Sequence, residues 1–299
     1  MSSSPAHIEA IAEALHAGLD RGTSVDPDLR DADLSLPDAY AVAEAVRIKR
    51  TEAGARTTGR KIGFTNAETA AAFGAPGPIW GWVYNSTLRS HERARTAIKE
   101  PVVLDLSTFV EPRLEPEIVL GLARAPAAGM NEVELASCVA WAAPGFEIVQ
   151  SVFPGWRFTA AEAVAGHGLH GALIVGAPFS VATEPKATES YGIPDPASSA
   201  APTSSPGWLS DVVMDLSRDG TAIARGVGSN ALGGPLRALR WLVDELDRTG
   251  DAPLVAGEIV TTGTLTEAHP VGPGETWNVV SASSESSGAP LGSMTIQFV

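Results

Sequence analysis

Three carboxylates sit among apolar residues, where an unpartnered charge is costly. Two stand in Leu114-Glu115-Pro116-Glu117-Ile118-Val119-Leu120, and the third is Glu147 in Gly145-Phe146-Glu147-Ile148-Val149. Successive side chains on a strand point to opposite faces, so Glu115 and Glu117, two apart, project from the same face. Glu147 follows Glu117 by thirty residues, in a second strand-like run. If the two strands are neighbours the carboxylates converge, and ionised carboxylates leaving water need a partner of opposite charge. Neither apolar run contains a basic residue. A divalent cation is then the natural partner. An all-oxygen ligand set without thiolate or imidazole selects a hard ion, Mg²⁺ or Mn²⁺, and less surely Ca²⁺. Three protein ligands leave about three octahedral positions open to water or substrate, which gives such a site a catalytic character. The alternative is an edge strand whose glutamates face solvent, where Pro116 is tolerated.

A second cluster of interest is Gly59-Arg60-Lys61-Ile62-Gly63-Phe64-Thr65, a strand-like run in which glycines flank a lysine. Glycine in a strand often marks close approach of a ligand or another backbone, so Lys61 could face a pocket; a surface lysine on an edge strand is the competing reading. Thr261-Thr262-Gly263-Thr264-Leu265-Thr266 ends a strand with hydroxyls and a glycine, a combination that can bind a carboxylate through N–H and O–H donors. Threonine is also common in strands for packing reasons alone. Two histidines, His167 and His170, lie among glycines in Gly166-His167-Gly168-Leu169-His170-Gly171 and could form a site wall or a plain loop.

The elements that must position these groups follow from periodicity and punctuation. Ile8, Ile11, Ala12, Leu15 and Leu19 have helical spacing over residues 5–20, with Pro5 suited to the first turn and Gly22 after the end. A second helix is predicted from Pro37 to Ala53, stopped by Gly54. His7 and His16 in this region read as solvated surface residues. Asn66 can cap a short helix through Phe73, and the Gly74-Ala75-Pro76-Gly77-Pro78 loop has the composition of a hinge, so this segment could be a lid. Trp80-Gly81-Trp82-Val83-Tyr84 reads as a strand. A helix is expected near Asn131 to Ala142. Thr159-Ala160-Ala161-Glu162 matches a capping box. Residues 184–207, rich in Ser, Pro, Ala and Thr, read as a long exposed flexible loop. Asp219-Gly220 marks a tight hairpin, Pro235 to Arg248 an amphipathic helix, and the tail from Glu258 more strands.

Composition sets the outer bounds. The 299 residues suffice for a large core. A formal net charge of −14 argues against nucleic acid or an anionic membrane as partner. The single Cys138 excludes an intramolecular disulfide framework, the N-terminus lacks the features of a secretion signal, and no apolar run of about 18 residues exists to span a bilayer. These features predict a cytoplasmic protein. A Walker loop, a Gly-x-Ser-x-Gly elbow and zinc-type Cys/His spacing are missing.

Taken in order and spacing, Gly59-Arg60-Lys61-Ile62-Gly63-Phe64-Thr65, Glu115-Pro116-Glu117-Ile118, Phe146-Glu147-Ile148-Val149 and Ala256-Gly257-Glu258-Ile259-Val260-Thr261-Thr262-Gly263 resemble the fumarylacetoacetate hydrolase superfamily. Within it the chain is similar to the 2-keto-4-pentenoate (2-hydroxypenta-2,4-dienoate) hydratase and oxalocrotonate decarboxylase branch, over about residues 35–299. The resemblance implies an α+β fold, a mixed β-sandwich roll over residues 56–299 preceded by a helical N-terminal region, residues 1–55. It implies Mg²⁺ or Mn²⁺ on Glu115, Glu117 and Glu147, and a substrate site that includes Lys61, Phe64, Thr65, Thr264 and Leu265. It also implies a homo-oligomer, to which the apolar Trp80 to Tyr84 run lends support. The implied reaction adds water to a 2-hydroxy-2,4-dienoate to give a 4-hydroxy-2-oxo acid. Lys61 is the expected proton carrier or oxyanion partner, since a lysine beside a metal can have its pKa lowered, and His170 the residue expected to orient water. C–C bond hydrolysis of acylpyruvates, decarboxylation of a 2-oxo acid and a non-enzymatic metal-bound protein are the alternatives. Two departures bear on the substrate: Leu169-His170 stands where the branch typically carries a pair of small hydroxyl residues, and an acidic residue expected between Pro76 and Trp82 is missing.

Overall fold

In a computed structural model of the chain, which describes residues 3–27, 30–31, 33–90, 101–181, 206–282 and 291–299, two helices open the fold. Helix α1, Pro5–Arg21, is capped by the Ser4 hydroxyl and stops at left-handed Gly22; α2, Leu36–Glu52, is capped by Ser35. Both have Pro in the first turn, where its missing N–H costs nothing. His7 pairs with Asp31 at the surface, Nε2 to Oδ2 2.8 Å, whereas His16 is half-buried.

Strands then dominate. In chain order come β1 (Thr57–Gly63), the short helix α3 (Ala67–Ala72), β2 (Ile79–Tyr84), β3 (Leu88–Ser90), β4 (Val102–Leu104) and β5 (Arg113–Leu122). There follow α4 (Glu132–Ala136), β6 (Val139–Val149), α5 (Ala160–Ala165), β7 (His170–Val175), β8 (Phe179–Ser180), β9 (Val213–Arg218) and β10 (Thr221–Val227). The chain closes with α6 (Pro235–Thr249), β11 (Ile259–Thr264), β12 (His269–Pro270), β13 (Thr276–Ala282) and β14 (Ser293–Phe298). Among the described residues the strands form one nine-stranded sheet, ordered β2-β1-β11-β5-β6-β7-β3 with β12 on β5 and β8 on β6, and one five-stranded sheet, β10-β9-β13-β14-β4. The larger sheet is mixed: β1 runs parallel to β11 and β3 to β7, and the other pairs in that order are antiparallel.

One face of the large sheet buries Ile62, Ile118, Phe146 and Ile148 in the same core as Leu216, Trp277 and Val279 of the small sheet and Leu239 and Leu242 of α6. Residues one step along each strand point the other way. On that opposite face, Val83, Val119, Leu173 and Ile259 form one apolar cluster, while Val149 and Ile79 join a second with α1, α2 and α5. The N-terminal helices therefore share a core with the sheet. The capping box at Thr159 and Glu162 forms as expected, and Arg30 clamps Glu162 from outside, Nε to Oε1 2.7 Å.

Two expectations change. The helix read near Asn131 to Ala142 stops at Ala136, and Val139 to Ala142 belong to β6, where Trp141 pairs with Ser180 and Ala142 with Phe179 on β8. Pairing with β5 and β8 outweighs the helix preference of the alanines. The Trp80 to Tyr84 run is wholly buried as β2, so it supplies no exposed apolar face for a partner copy. Residues 184–205 of the Ser/Pro-rich stretch lie outside the described residues; Pro206 and Gly207 open a 3₁₀ turn that runs to Asp211. Elsewhere local signals hold: Asp219 and Gly220 adopt positive φ in a two-residue hairpin, and left-handed Gly250 ends α6. No helix among the described residues is long and apolar enough to cross a membrane.

Candidate metal centre

Antiparallel pairing of β5 with β6 puts Glu115 directly opposite Glu147, with Glu117 two residues further along the same face. One carboxylate oxygen from each of the three lies within 4.8 Å of the others. Glu117 and Glu147 are fully buried and Glu115 is partly exposed, so the cluster opens to solvent on the Glu115 side.

The two buried carboxylates are held alike. Oε2 of Glu117 accepts hydrogen bonds from the Thr261 hydroxyl and from the Gly263 N–H, the latter at 2.8 Å, while its Oε1 has no partner. Oε1 of Glu147 accepts from Nδ1 of His170 at 2.8 Å, while its Oε2 makes no hydrogen bond and lies 3.3 Å from Nζ of Lys61. Buried oxygens that make no hydrogen bond are rare, because each forfeits its hydration. Two of them, beside a third carboxylate, fit a hard divalent cation: each glutamate is fixed through one oxygen and offers the other.

Lys61 is buried, not on the surface, and its ammonium also donates to the Gly168 carbonyl at 2.8 Å. The carboxylates thus have basic neighbours that neither apolar run contains. These arrive from β1 and from the start of β7, which only the sheet brings close. Burial opposes a charge on Lys61, but Glu147, Glu115 and Glu117 outweigh it and hold the ammonium above its ordinary range. Burial lifts Glu115 to about 7 and Glu117 well above the usual carboxylate range, reinforced by the neighbouring glutamates. For Glu147 burial acts in the same sense, but the Lys61 charge and the His170 hydrogen bond override it, and this carboxyl stays ionised below its ordinary range.

His170 does not present a free nitrogen to a water: Nδ1 is engaged by Glu147 and Nε2 lies 2.8 Å from the Thr87 hydroxyl. The Thr-rich end of β11 does hold a carboxylate, but it is Glu117 of the chain itself. Thr262 donates to the Ile118 carbonyl, Thr264 to the Thr266 carbonyl, and the buried Leu265 gives its N–H to Pro116. Thr65 packs against Gly263, whose φ of +104° and lack of Cβ are both required, since a Cβ there would meet Thr65 Oγ1 at 2.3 Å. Phe64, at positive φ, stacks on Phe73 at 5.3 Å, and Phe73 on Phe158 at 4.8 Å, so the segment from Asn66 to Phe73 is tied to the rim by aromatic contacts. His167 is buried near the Tyr84 hydroxyl, 3.4 Å away, and burial holds its imidazole neutral.

Sequence reasoning missed the Arg60 and Glu258 pair on the far face of the strand that carries Lys61. Arg60 Nη1 lies 3.1 Å from Glu258 Oε1, both buried, and the guanidinium centre sits 3.2 Å from the Trp82 ring centroid. Both charges stand inside strand-like motifs, a signal that they meet. Thr87, in the turn after β2, carried no such signal.

The chain is 30% identical over 280 residues to 2-keto-4-pentenoate hydratase 1 of Dechloromonas aromatica (strain RCB), covering 91% of this chain and 92% of that protein. It is 28% identical to a 4-oxalocrotonate decarboxylase of a Pseudomonas species over 81% of this chain and 83% of that one. Its fold matches 4-oxalocrotonate decarboxylase from Pseudomonas putida G7, solved with magnesium and adipate, at a TM-score of 0.82 and 20% identity over 100% of this chain and 99% of that one. No protein-family model matches. With 30% identity over nine-tenths of both chains, the chain belongs to the 2-keto-4-pentenoate hydratase family.

Proposed function

We propose that the chain is a divalent-metal-dependent hydratase that adds water to a 2-hydroxy-2,4-dienoate and yields a 4-hydroxy-2-oxo acid. The observation that carries this reading is the pair of buried glutamates, each fixed through one oxygen and without a hydrogen bond at the other, beside Glu115 and Lys61. Several relatives bear hydratase names, among them 2-hydroxyhexa-2,4-dienoate hydratase of Comamonas testosteroni.

Glu115, Glu117 and Glu147 would hold Mg²⁺ or Mn²⁺. When bound, the cation supplies a Lewis acid for the oxygens of a 2-oxo or 2-enol acid. The remaining work falls to the chain. Thr261, Gly263 and His170 keep the carboxylates in position, so the site is organised before substrate arrives. Hydration requires a proton to move between the enol oxygen and carbon. Lys61 holds an exchangeable proton at Nζ within the cluster, oriented by the Gly168 carbonyl.

Decarboxylation of a 2-oxo acid is the second reading, since a relative and the matching fold both carry the name 4-oxalocrotonate decarboxylase. Acylpyruvate hydrolysis has less support, because α3 offers Glu68 but no histidine. The test is to mix enzyme, Mg²⁺ and a 2-hydroxy-2,4-dienoate and follow the dienoate absorbance while identifying the product. A 4-hydroxy-2-oxo acid, formed only with metal, is expected; evolved CO₂ or two smaller acids would move the assignment, and no turnover on any of these acids would end the enzymatic reading.

A further inference from the structure

The turn joining β2 to β3 lies outside the carboxylate cluster, yet it reaches the cluster by a chain of short contacts. Thr87 sits in this turn, half-buried, with its hydroxyl 2.8 Å from Nε2 of His170. The other ring nitrogen of His170 donates to Oε1 of Glu147 at 2.8 Å. The Thr87 hydroxyl is itself placed by the backbone of Tyr84, accepting from its N–H at 3.3 Å and lying 3.1 Å from its carbonyl. A histidine bonded through one nitrogen can still swing about that contact; bonded through both, its ring plane is set. Glu147 Oε1 is then fixed, and Oε2, which makes no hydrogen bond and lies 3.3 Å from Nζ of Lys61, is left within a cluster shared with Glu115 and Glu117.

We infer that Thr87 is a positioning residue of the metal centre, acting through His170 to aim Oε2 of Glu147, the oxygen that makes no hydrogen bond. This inference rests on the metal-binding reading above. It assigns a role to a turn residue that touches neither a ligand nor the substrate side of the cluster. Outer partners of metal-bound groups typically carry about 10- to 100-fold in affinity when removed, and Thr87 stands one contact further out, so a loss of about 3- to 10-fold is expected.

The experiment titrates purified, metal-stripped protein with Mn²⁺ and reads the free ion by electron paramagnetic resonance, for wild type and for Thr87→Val, Thr87→Ala and Thr87→Ser. Val and Ala remove the hydroxyl with and without added bulk, so if the Val variant does not fold the Ala and Ser pair still decides. The expected result is weakened Mn²⁺ binding in the hydroxyl-less variants and affinity within about twofold of wild type in Thr87→Ser, since the serine hydroxyl keeps the contact. Metal-free melting temperatures are recorded alongside. Hydroxyl-less variants that bind Mn²⁺ as wild type does would overturn the inference, as would a serine variant weakened as much as the alanine one. A wild type that binds no Mn²⁺ would instead remove the metal reading on which it rests.

Discussion

Replacing Thr261 by valine tests how the centre is assembled, because it deletes one hydroxyl and keeps the branched shape. Thr261 is fully buried, so water cannot take the place of its O–H against Glu117 Oε2. Hydrogen bonds to charged groups contribute about 1.5–3 kcal/mol. The loss should fall mainly on the metal-bound state. Without metal, burial keeps the Glu117 carboxyl protonated far above the usual range, and a neutral acid gains less from the donor. With metal it must be ionised. At about 1.4 kcal/mol per tenfold, Mn²⁺ affinity should drop by roughly 10- to 150-fold. The deficit should be larger at pH 6 than at pH 8.5, because losing the donor raises the Glu117 pKa further and more of the acid must be deprotonated on binding. Calorimetric titration with Mn²⁺ at both pH values measures this, with a denaturant melt to confirm the fold. An affinity within threefold of wild type in a folded variant would refute the claim that Thr261 holds a ligand.

The same acids predict a pH-dependent response to metal. Glu115 has a folded pKa of about 7 against 4.5 unfolded, so between these values the folded state binds more protons and metal-free stability falls as pH rises; thermal melts in EDTA from pH 5 to 8 should show the decline, and added Mg²⁺ should stabilise more with each step up. Lys61→Met should lower kcat by about 10²- to 10⁴-fold while Mn²⁺ still binds, and a change in KM alone would leave the lysine as an anchor for substrate. Arg60→Met strands the buried Glu258 carboxylate and should destabilise the fold by about 3–5 kcal/mol in urea, with much of the loss recovered in the Arg60→Met, Glu258→Gln double variant; an additive double variant would deny the pairing.

Much of the site was legible because a strand has a period of two. The spacing of Glu115 and Glu117 already placed both on one face, and the apolar runs around them and around Glu147 already demanded a counter-charge. Helix ends and the Asp219-Gly220 hairpin were equally readable, since caps and turns depend on residues within a few positions. The helix overextended from Ala136 to Ala142 failed where local preference met strand pairing.

What only the tertiary structure decided is which groups meet across strands. Lys61 and Glu147 lie on β1 and β6, three strand spacings apart in the order β1-β11-β5-β6, about 14 Å in a flat sheet. Two long side chains and the curl of the sheet bring Nζ and Oε2 to 3.3 Å. Register then sets the rest: Thr261 and Gly263 on β11 meet Glu117 instead of a ligand, and His170 and Thr87 meet in a contact separated by 83 residues. Such pairings depend on strand order and register, which no local pattern encodes. The sequence therefore determined which residues must be compensated, and the fold determined by what.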